Sequence, residues 1–480
     1  MLNRPRKPTP APDPAARGTR PSPALVVAAA LAGASSLLSF EPFGWWPLQF
    51  LSLAFLFYQV GVGSSVKRAT LVGWAFGFGW SVAGMYWLTI ALTRYGGLPA
   101  ILSAIAIALL GLYMGLFGAF AAGSAAWLRR RWSLPVPSFL LLVLPVAWGV
   151  SEWMRGWVFT GFPWAASGYA HNVAPLGGFA PIVGVYGIGV LAAVGAGCLV
   201  MLTQRKRWPA VTLFAVLLAS GYGLRGIDWT HPVGQPISVR LVQGDIPQDE
   251  KFSAEHLMKI LVRYRDMLTD APADLVAAPE TALPVFPHQL PPGYLQELKE
   301  FSARTGSWLM YGIPLSDGPV TYANSVAGVS PQGQAYRYDK HHLVPFGEFI
   351  PTGFRWFTDM MHIPLGDFTR GGAVQAPFAV KDQYVLPNVC YEDVFGEEIA
   401  KQLRDARHPA TLLLNVSNLA WYGESTAIPQ HLQISRMRSL ETGRPMLRAT
   451  NNGATAIIDG KGVVQEILPA YRKGTLAAQV

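Results

Sequence analysis

The distribution of apolar residues limits this chain more than any other feature. Long apolar runs follow one another between Ala24 and Leu224, whereas the sequence after Asp228 has ordinary globular composition. A helix needs ~20 apolar residues to cross ~30 Å of hydrocarbon, and about seven stretches qualify as candidate spans. They lie near residues 24–40, 45–63, 69–92, 98–128, 135–154, 180–203 and 208–224. A chain of 480 residues with 14% charge and a mean hydropathy of +0.27 is too apolar to be an ordinary soluble protein. The expectation is a membrane α-helical bundle over residues 24–228 joined to a polar domain over residues 229–480.

Charge orients the bundle, because loops on the cytoplasmic side retain Lys and Arg. The N-terminal segment carries Arg4, Arg6, Lys7, Arg17 and Arg20. Every second loop is also basic, through Lys67 and Arg68, then Arg129, Arg130 and Arg131, then Arg205, Lys206 and Arg207. The intervening loops hold little beyond Arg94 and Arg155. An odd number of crossings then delivers the polar domain to the outer side, which for a bacterial inner membrane is the periplasm. Residues 1–23, rich in Pro and Ala, are expected to be a disordered basic tail. No small-residue cleavage site follows a short apolar region there, so a cleaved signal peptide is not expected.

The net charge of +9 is therefore mainly a topology signal. Basic residues scattered among membrane loops, without an interleaved aromatic strip, argue against nucleic-acid binding. The loop SEWMRGWVFTGFPWAASGYAHN is rich in aromatics, including Trp153, Trp157 and Trp164. It reads either as an interfacial belt or as a lipid-facing vestibule in which Arg155 is available to a lipid phosphate.

In the polar domain, ISVRLVQG, ADLVAAP, WLMYGIP, YVLPNV and TLLLNVS read as strands. HLMKILVRYRDMLTD, PGYLQELKEFSARTG and IPQHLQISRMRSLETG read as amphipathic helices. Alternating strands and helices indicate an α/β layered domain, in which working residues sit at the carboxyl ends of strands. Glu280 closes ADLVAAPE, Cys390 closes YVLPNVC, and Lys340 lies in QAYRYDKHHLVPFGEF. A thiol is mostly protonated at neutral pH and needs a base or a cation to become a nucleophile. Glu280 supplies a base, while Lys340 and the backbone N–H of Tyr391 supply donors for an oxyanion. A Cys–His pair using His341 or His342 is the alternative. Cys198 sits in an apolar run and reads as packing, and two cysteines make no disulfide framework.

These residues carry a resemblance. AAPETALP, YDKHHLVPFGEFIP and NVCYEDVFG resemble the glutamate, lysine and cysteine motifs of the nitrilase (carbon–nitrogen hydrolase) superfamily. RGWVFTGFPW, LVQGDIPQ and QHLQISRMRSLETGRPMLRATNNG narrow it to the apolipoprotein N-acyltransferase family, from about residue 24 to the end. The resemblance implies an α-β-β-α sandwich with Glu280 as general base, Lys340 as oxyanion stabiliser and Cys390 as nucleophile. It also implies that Glu348 orients the lysine and that Tyr391 and Glu392 support the nucleophile. Phe252, Arg155, Trp164, Trp421 and Asn415 are candidate substrate-binding or lid residues. The implied reaction is ping-pong. Cys390 takes the sn-1 acyl chain of a phospholipid, typically phosphatidylethanolamine, as a thioester. The α-amine of an S-diacylglyceryl cysteine at an apolipoprotein N-terminus then receives it. No cofactor is implied, and no His, Cys and carboxylate cluster has metal-ligand spacing.

The aromatic loop and FRWFTDMMHIPLGDF are expected lids that keep water from the thioester. The sequence departs from the family in three places. The family's eighth, C-terminal span has no counterpart before GTLAAQV; Phe252 stands where tryptophan is usual; and SNLAWYG puts Leu419 where the family has aspartate. Restoring aspartate at 419 is expected to be tolerated. The competing readings are a membrane-tethered amidase that passes its acyl group to water, and a non-enzymatic transporter or lipid-binding protein. The near absence of charge within the spans argues against the last.

Overall fold

The computed structural model describes residues 21–62, 65–204, 207–318, 321–351, 353, 355 and 368–480. Most of the expected N-terminal tail, Arg205 and Lys206 of the last basic loop, and Phe354 and residues 356–367 of the expected second lid lie outside the described residues.

Each stretch expected to span a membrane is helical. The helices are α1 (Pro23–Ser35), α2 (Pro47–Val62), α3 (Val66–Gly84), α4 (Ala100–Arg131), α5 (Val136–Arg155), α6 (Ala180–Met201) and α7 (Trp208–Leu224). By length and composition, three described segments can cross a membrane: α4, α5 and Pro175–Met201, which contains α6. The count becomes four if α3 and Leu88–Tyr95, bent by 61°, form one broken span. The segments Pro23–Ser39, Pro47–Val62 and Trp208–Leu224 are apolar but shorter. The 32 residues of α4 reach about 48 Å at ~1.5 Å per residue. That exceeds the thickness of the hydrocarbon layer.

The polar domain contains two six-stranded sheets of matching design, ordered β12-β1-β2-β3-β4-β5 and β11-β10-β9-β8-β7-β6. The strands are β1 (Ser238–Gln243), β2 (Leu275–Ala277), β3 (Trp308–Ser316), β4 (Tyr322–Val329), β5 (Ala335–Asp339), β6 (Phe378–Val380), β7 (Gln383–Val389), β8 (Leu412–Ser417), β9 (Met446–Thr450), β10 (Ala456–Ile458), β11 (Val464–Ile467) and β12 (Gly474–Gln479). In the first sheet β1, β2 and β3 are parallel, and in the second β7, β8 and β9 are parallel. The remaining neighbours pair antiparallel.

Residue alternation separates the layers. Val239 and Leu241 join the inter-sheet core, while Val242 packs with Tyr264 and Leu268 on the opposite face. That face is covered by α8 (Ala254–Thr269) and α9 (Tyr294–Thr305). On the side of the second sheet lie α10 (Gly396–Asp405) and α11 (Ala427–Thr442), completing the α-β-β-α sandwich.

Helix α11 departs from the amphipathic expectation. Gln430, His431, Gln433, Ser435, Arg438 and Ser439 are all buried, because the helix is enclosed between the sandwich and the apolar bundle. Ile434, Met437 and Leu440 share one core with Ala180 and Val185 of the bundle. Burial of side chains of this size contributes about 1.5–3 kcal/mol each. The polar residues hydrogen-bond across the junction. Trp164 Nε1 donates to Gln430 Oε1 at 2.8 Å, Asn172 Nδ2 to the Gln433 carbonyl at 2.6 Å, and Val185 N to Glu441 Oε1 at 2.7 Å.

The connections after α1, α3 and α5 meet the sandwich, as does the start of α6. Glu41 N donates to Gln433, and Tyr95 Oη to the Ala420 carbonyl. The basic residue Arg129 lies at another end of the helices. Arg129, at the end of α4, donates to the Gly61 carbonyl at the end of α2 and covers the Phe139 ring at the start of α5.

Candidate active site

Glu280, Lys340 and Cys390 converge beyond strand ends of both sheets. Glu280 follows β2 in a turn pressed against β3. A Cβ on Gly312 would stand 2.3 Å from Thr281 N and 2.5 Å from the Pro279 carbonyl oxygen, so only glycine admits the turn. Lys340 directly follows β5. Cys390 follows β7 with φ of 53°. That left-handed conformation is costly for a residue with a side chain and is typical of a nucleophile held on a sharp strand-to-helix turn.

The charges form a compact network. Lys340 Nζ lies 2.9 Å from Glu348 Oε1 and 3.4 Å from Glu280 Oε1. Asn324 Nδ2 donates to Glu280 Oε1 and Glu348 Oε1, each at 2.8 Å. Asn418 N donates to Glu280 Oε2 at 2.9 Å, and Val344 N to Glu348 Oε2 at 2.8 Å. Lys340 is 1% exposed. Burial works to lower its pKa, but Glu348 and then Glu280 outweigh burial and hold it charged. Cys390 shows the reverse. Burial pushes its thiol up, Glu280 adds to that push, and Lys340 opposes it. The resting sulfur is therefore a protonated thiol that needs a base at the moment of attack.

A second set of groups fixes the Cys390 backbone. The Cys390 carbonyl accepts from Asn415 Nδ2 at 3.2 Å and lies 3.1 Å from His431 Nε2. His431 is held in turn by Asp393, Arg448 and the stacked Trp164 ring. Burial works to raise the Asp393 carboxyl, but His431 first, then Arg448 and Ser435, hold it below the usual range. Glu392 joins the two strand ends. It accepts from Val389 N at 2.6 Å, and from His341 N and His342 N at 2.6 and 3.2 Å. Tyr391 Oη donates to the Gly161 carbonyl at 3.0 Å, and its ring stacks on Phe162.

The remaining expected site residues separate. Asn415 and Trp164 are buried behind Cys390, so they support its backbone and the domain junction and are not lids. Arg155 is also buried and faces Glu152 at 3.7 Å inside the bundle, because the i,i+3 spacing on α5 brings the two together. It is not the exposed phosphate contact expected. Trp421 meets Tyr95 edge to face, and Phe252 is 54% exposed. Leu419 is buried with Ile428 and Ala454, against Cys390 and Tyr422. That apolar contact set weighs against the expectation that aspartate would be tolerated there. His342 and His341 attach to Glu398 and to the Gly371 carbonyl, so neither supports a Cys–His pair.

Sequence reasoning missed Asn324, Asn418 and above all Lys251. Lys251 is fully buried and donates to the Glu280 carbonyl at 3.0 Å. Burial lowers its pKa to about 8, against the influence of Glu280 and Cys390. The signal that could have found it is its place at the end of LVQGDIPQDEK, directly after the run that carries the family resemblance.

Comparison with known proteins bears on the whole chain. Residues 32–198 match the family described as apolipoprotein N-acyltransferase N-terminal domain, and residues 238–480 match carbon-nitrogen hydrolase. An apolipoprotein N-acyltransferase of Ralstonia nicotianae is 49% identical, covering 94% of this chain and 87% of that protein. The one of Verminephrobacter eiseniae is 44% identical with the same coverage. Among solved structures, a CN-hydrolase superfamily protein of Xanthomonas campestris covers 52% of this chain and 91% of its own, at 18% identity and a TM-score of 0.40.

Proposed function

This chain belongs to the apolipoprotein N-acyltransferase family, and from that premise we propose how its residues acylate lipoprotein N-termini. Glu280 removes the Cys390 thiol proton as sulfur attacks the sn-1 ester carbonyl of a phospholipid, phosphatidylethanolamine being the proposed donor. The oxyanion that forms faces Lys340 Nζ and the Tyr391 N–H. Collapse breaks the ester C–O bond, and the leaving alkoxide takes the proton from Glu280 and departs as lysophospholipid. The acyl group stays on Cys390 as a thioester. The neutral α-amine of a diacylglyceryl cysteine then attacks that thioester and gives its proton to Glu280. The thiolate leaves and recovers the proton, and an amide is released.

The observation that carries this reading is the meeting of Glu280, Lys340 and Cys390 on a turn that Tyr391 ties to Gly161 in the apolar half. Reactive groups so placed reach lipids without leaving the membrane. Trp421 and Phe252 belong to the proposed entrance, while Glu348, Glu392 and Asn415 hold the reacting groups in place.

The proposed organisation is a tail over residues 1–23, a bundle of seven spans over 24–228 and a periplasmic catalytic domain over 229–480, in a bacterial inner membrane. The separation of the sandwich-facing connections from the basic loop at Arg129 supports it. Incubation with phosphatidylethanolamine and a diacylglyceryl lipopeptide tests the function. N-acylated lipopeptide from wild type and none from Cys390→Ala supports it, whereas release of the chain as free fatty acid identifies a hydrolase.

A further inference from the structure

Two carboxylates crowd this site, and both face the single ammonium of Lys340. Glu280 and Glu348 share Lys340 and the same Asn324 amide. Carboxylates this close raise each other's pKa unless another cation is near. A cation is present. Lys251 closes the turn Gln248–Lys251 after β1, is 0% exposed, and donates to the peptide oxygen of Glu280 itself.

Burying an ammonium carries a penalty of several kcal/mol, which a loop staple alone does not require. A neutral donor would serve that purpose equally well. The neighbouring side chains on the same turn point to a built site. Gln248 is buried and accepts from Asn418 Nδ2 at 2.7 Å, while the backbone N–H of Asn418 holds Glu280 Oε2. Asp249 faces outward, toward Arg94. The charged and titratable groups around Lys251 and Glu280 include Lys340 after β5, Glu348 in the following loop, Cys390 after β7, and Tyr422 beyond β8.

We propose that Lys251 is a positioning residue for the general base, its buried ammonium supplying the second positive charge that keeps Glu280 ionised beside Glu348. The inference rests on the reading of Glu280 as the base. Lys251 does not touch the reacting atoms. It acts through Glu280 by holding the peptide from which the carboxylate projects and by lowering the pH at which that carboxylate gains a proton. A folded-state pKa of about 8 leaves it charged at neutral pH.

The test is the pH profile of thioester formation on full-length enzyme in phosphatidylethanolamine-containing micelles. It compares wild type, Lys251→Met, Lys251→Arg and Glu280→Gln. Removing an opposite charge close to a carboxyl raises its pKa by about 1 to 3. The acidic limb of Lys251→Met is therefore expected to move upward by that amount. Below the limb its rate falls about tenfold for each pH unit by which the limb has moved, and it recovers in alkali. Lys251→Arg keeps the limb near its wild-type position, and Glu280→Gln is inactive at every pH. An unmoved limb in Lys251→Met, an equal loss at all pH values, or failure of both Lys251 variants to fold assigns Lys251 a packing role and overturns the inference. Absence of thioester in wild type is a separate result, which strikes the underlying mechanism.

Discussion

Lys340 stands closer to Glu348 than to Glu280, 2.9 Å against 3.4 Å. The shorter contact anchors the ammonium and leaves Glu280 free to take a proton. Glu348→Gln removes the anchor and leaves Lys340 buried with Glu280 as its remaining carboxylate. Breaking one side of a buried ion pair typically costs ~3–5 kcal/mol. The expected outcome is a lower unfolding midpoint together with acylation slowed ~10²-fold or more, since the oxyanion donor is drawn onto the base. Thermal unfolding and single-turnover acylation measure the two effects.

Gly312→Ala tests the turn that presents Glu280. The added methyl would lie 2.7 Å from Glu280 Cα and closer still to Thr281 N and the Pro279 carbonyl. Overpacking of this kind costs ~1–3 kcal/mol. Backbone must shift to relieve it, so acylation is expected to fall far more than stability. Normal acylation in a folded variant would show that the turn tolerates displacement.

Glu392 predicts a pH dependence of stability. Burial raises its carboxyl to about 7, against the N–H groups of Val389, His341 and His342 and the charge of Lys340. A folded-state pKa above the unfolded one means that the native state holds the proton more tightly. The associated stability is present in full below about pH 4.5 and is lost as pH rises through 7. The loss amounts to about 3 kcal/mol at ~1.36 kcal/mol per pH unit. Glu392→Gln lacks this component. The difference in unfolding free energy between variant and wild type should therefore change across pH 4.5–7, and a constant difference would refute the assignment.

Leu419→Asp is expected to destabilise. It places a carboxyl among the apolar side chains of Ile428, Ala454 and Tyr422, and an unpaired buried polar group costs ~1–3 kcal/mol or more when charged. Leu419→Met, of similar volume, should cost less than ~1.5 kcal/mol. Equal unfolding midpoints for the two variants would contradict the packing argument.

How much of this was legible depended on periodicity. Glu280 and Cys390 stood out because each follows a strand whose apolar pattern is visible in a short window, and Lys340 stood out through the motif YDKHHLVPFGEF around it. Lys251, Asn324 and Asn418 carried no such mark. Their burial arises when the turn after β1, strand β4 and the end of β8 close over one another, a contact between segments far apart in sequence. Arg155 defeats a reading from sequence because an arginine in an aromatic loop suggests a lipid phosphate; helical i,i+3 spacing sets it beside Glu152, and the packing of α5 turns both inward with Ser151. Helix α11 was visible, but its burial on all sides was not, since polar residues normally mark a solvated face.

The most direct test of the central claim is intact-protein mass spectrometry of the purified enzyme before and after each substrate. With phosphatidylethanolamine alone, Cys390 is predicted to gain one acyl group as a hydroxylamine-sensitive thioester, and Cys198→Ala to behave as wild type. Glu280→Gln and Lys340→Met should remain unmodified, because loss of a preorganised oxyanion partner alone slows such a step ~10²- to 10³-fold. Addition of diacylglyceryl lipopeptide should discharge the thioester into N-acylated peptide. An unmodified Cys390 in enzyme that still turns over, or discharge mainly to free fatty acid when the lipopeptide is added, would contradict the account.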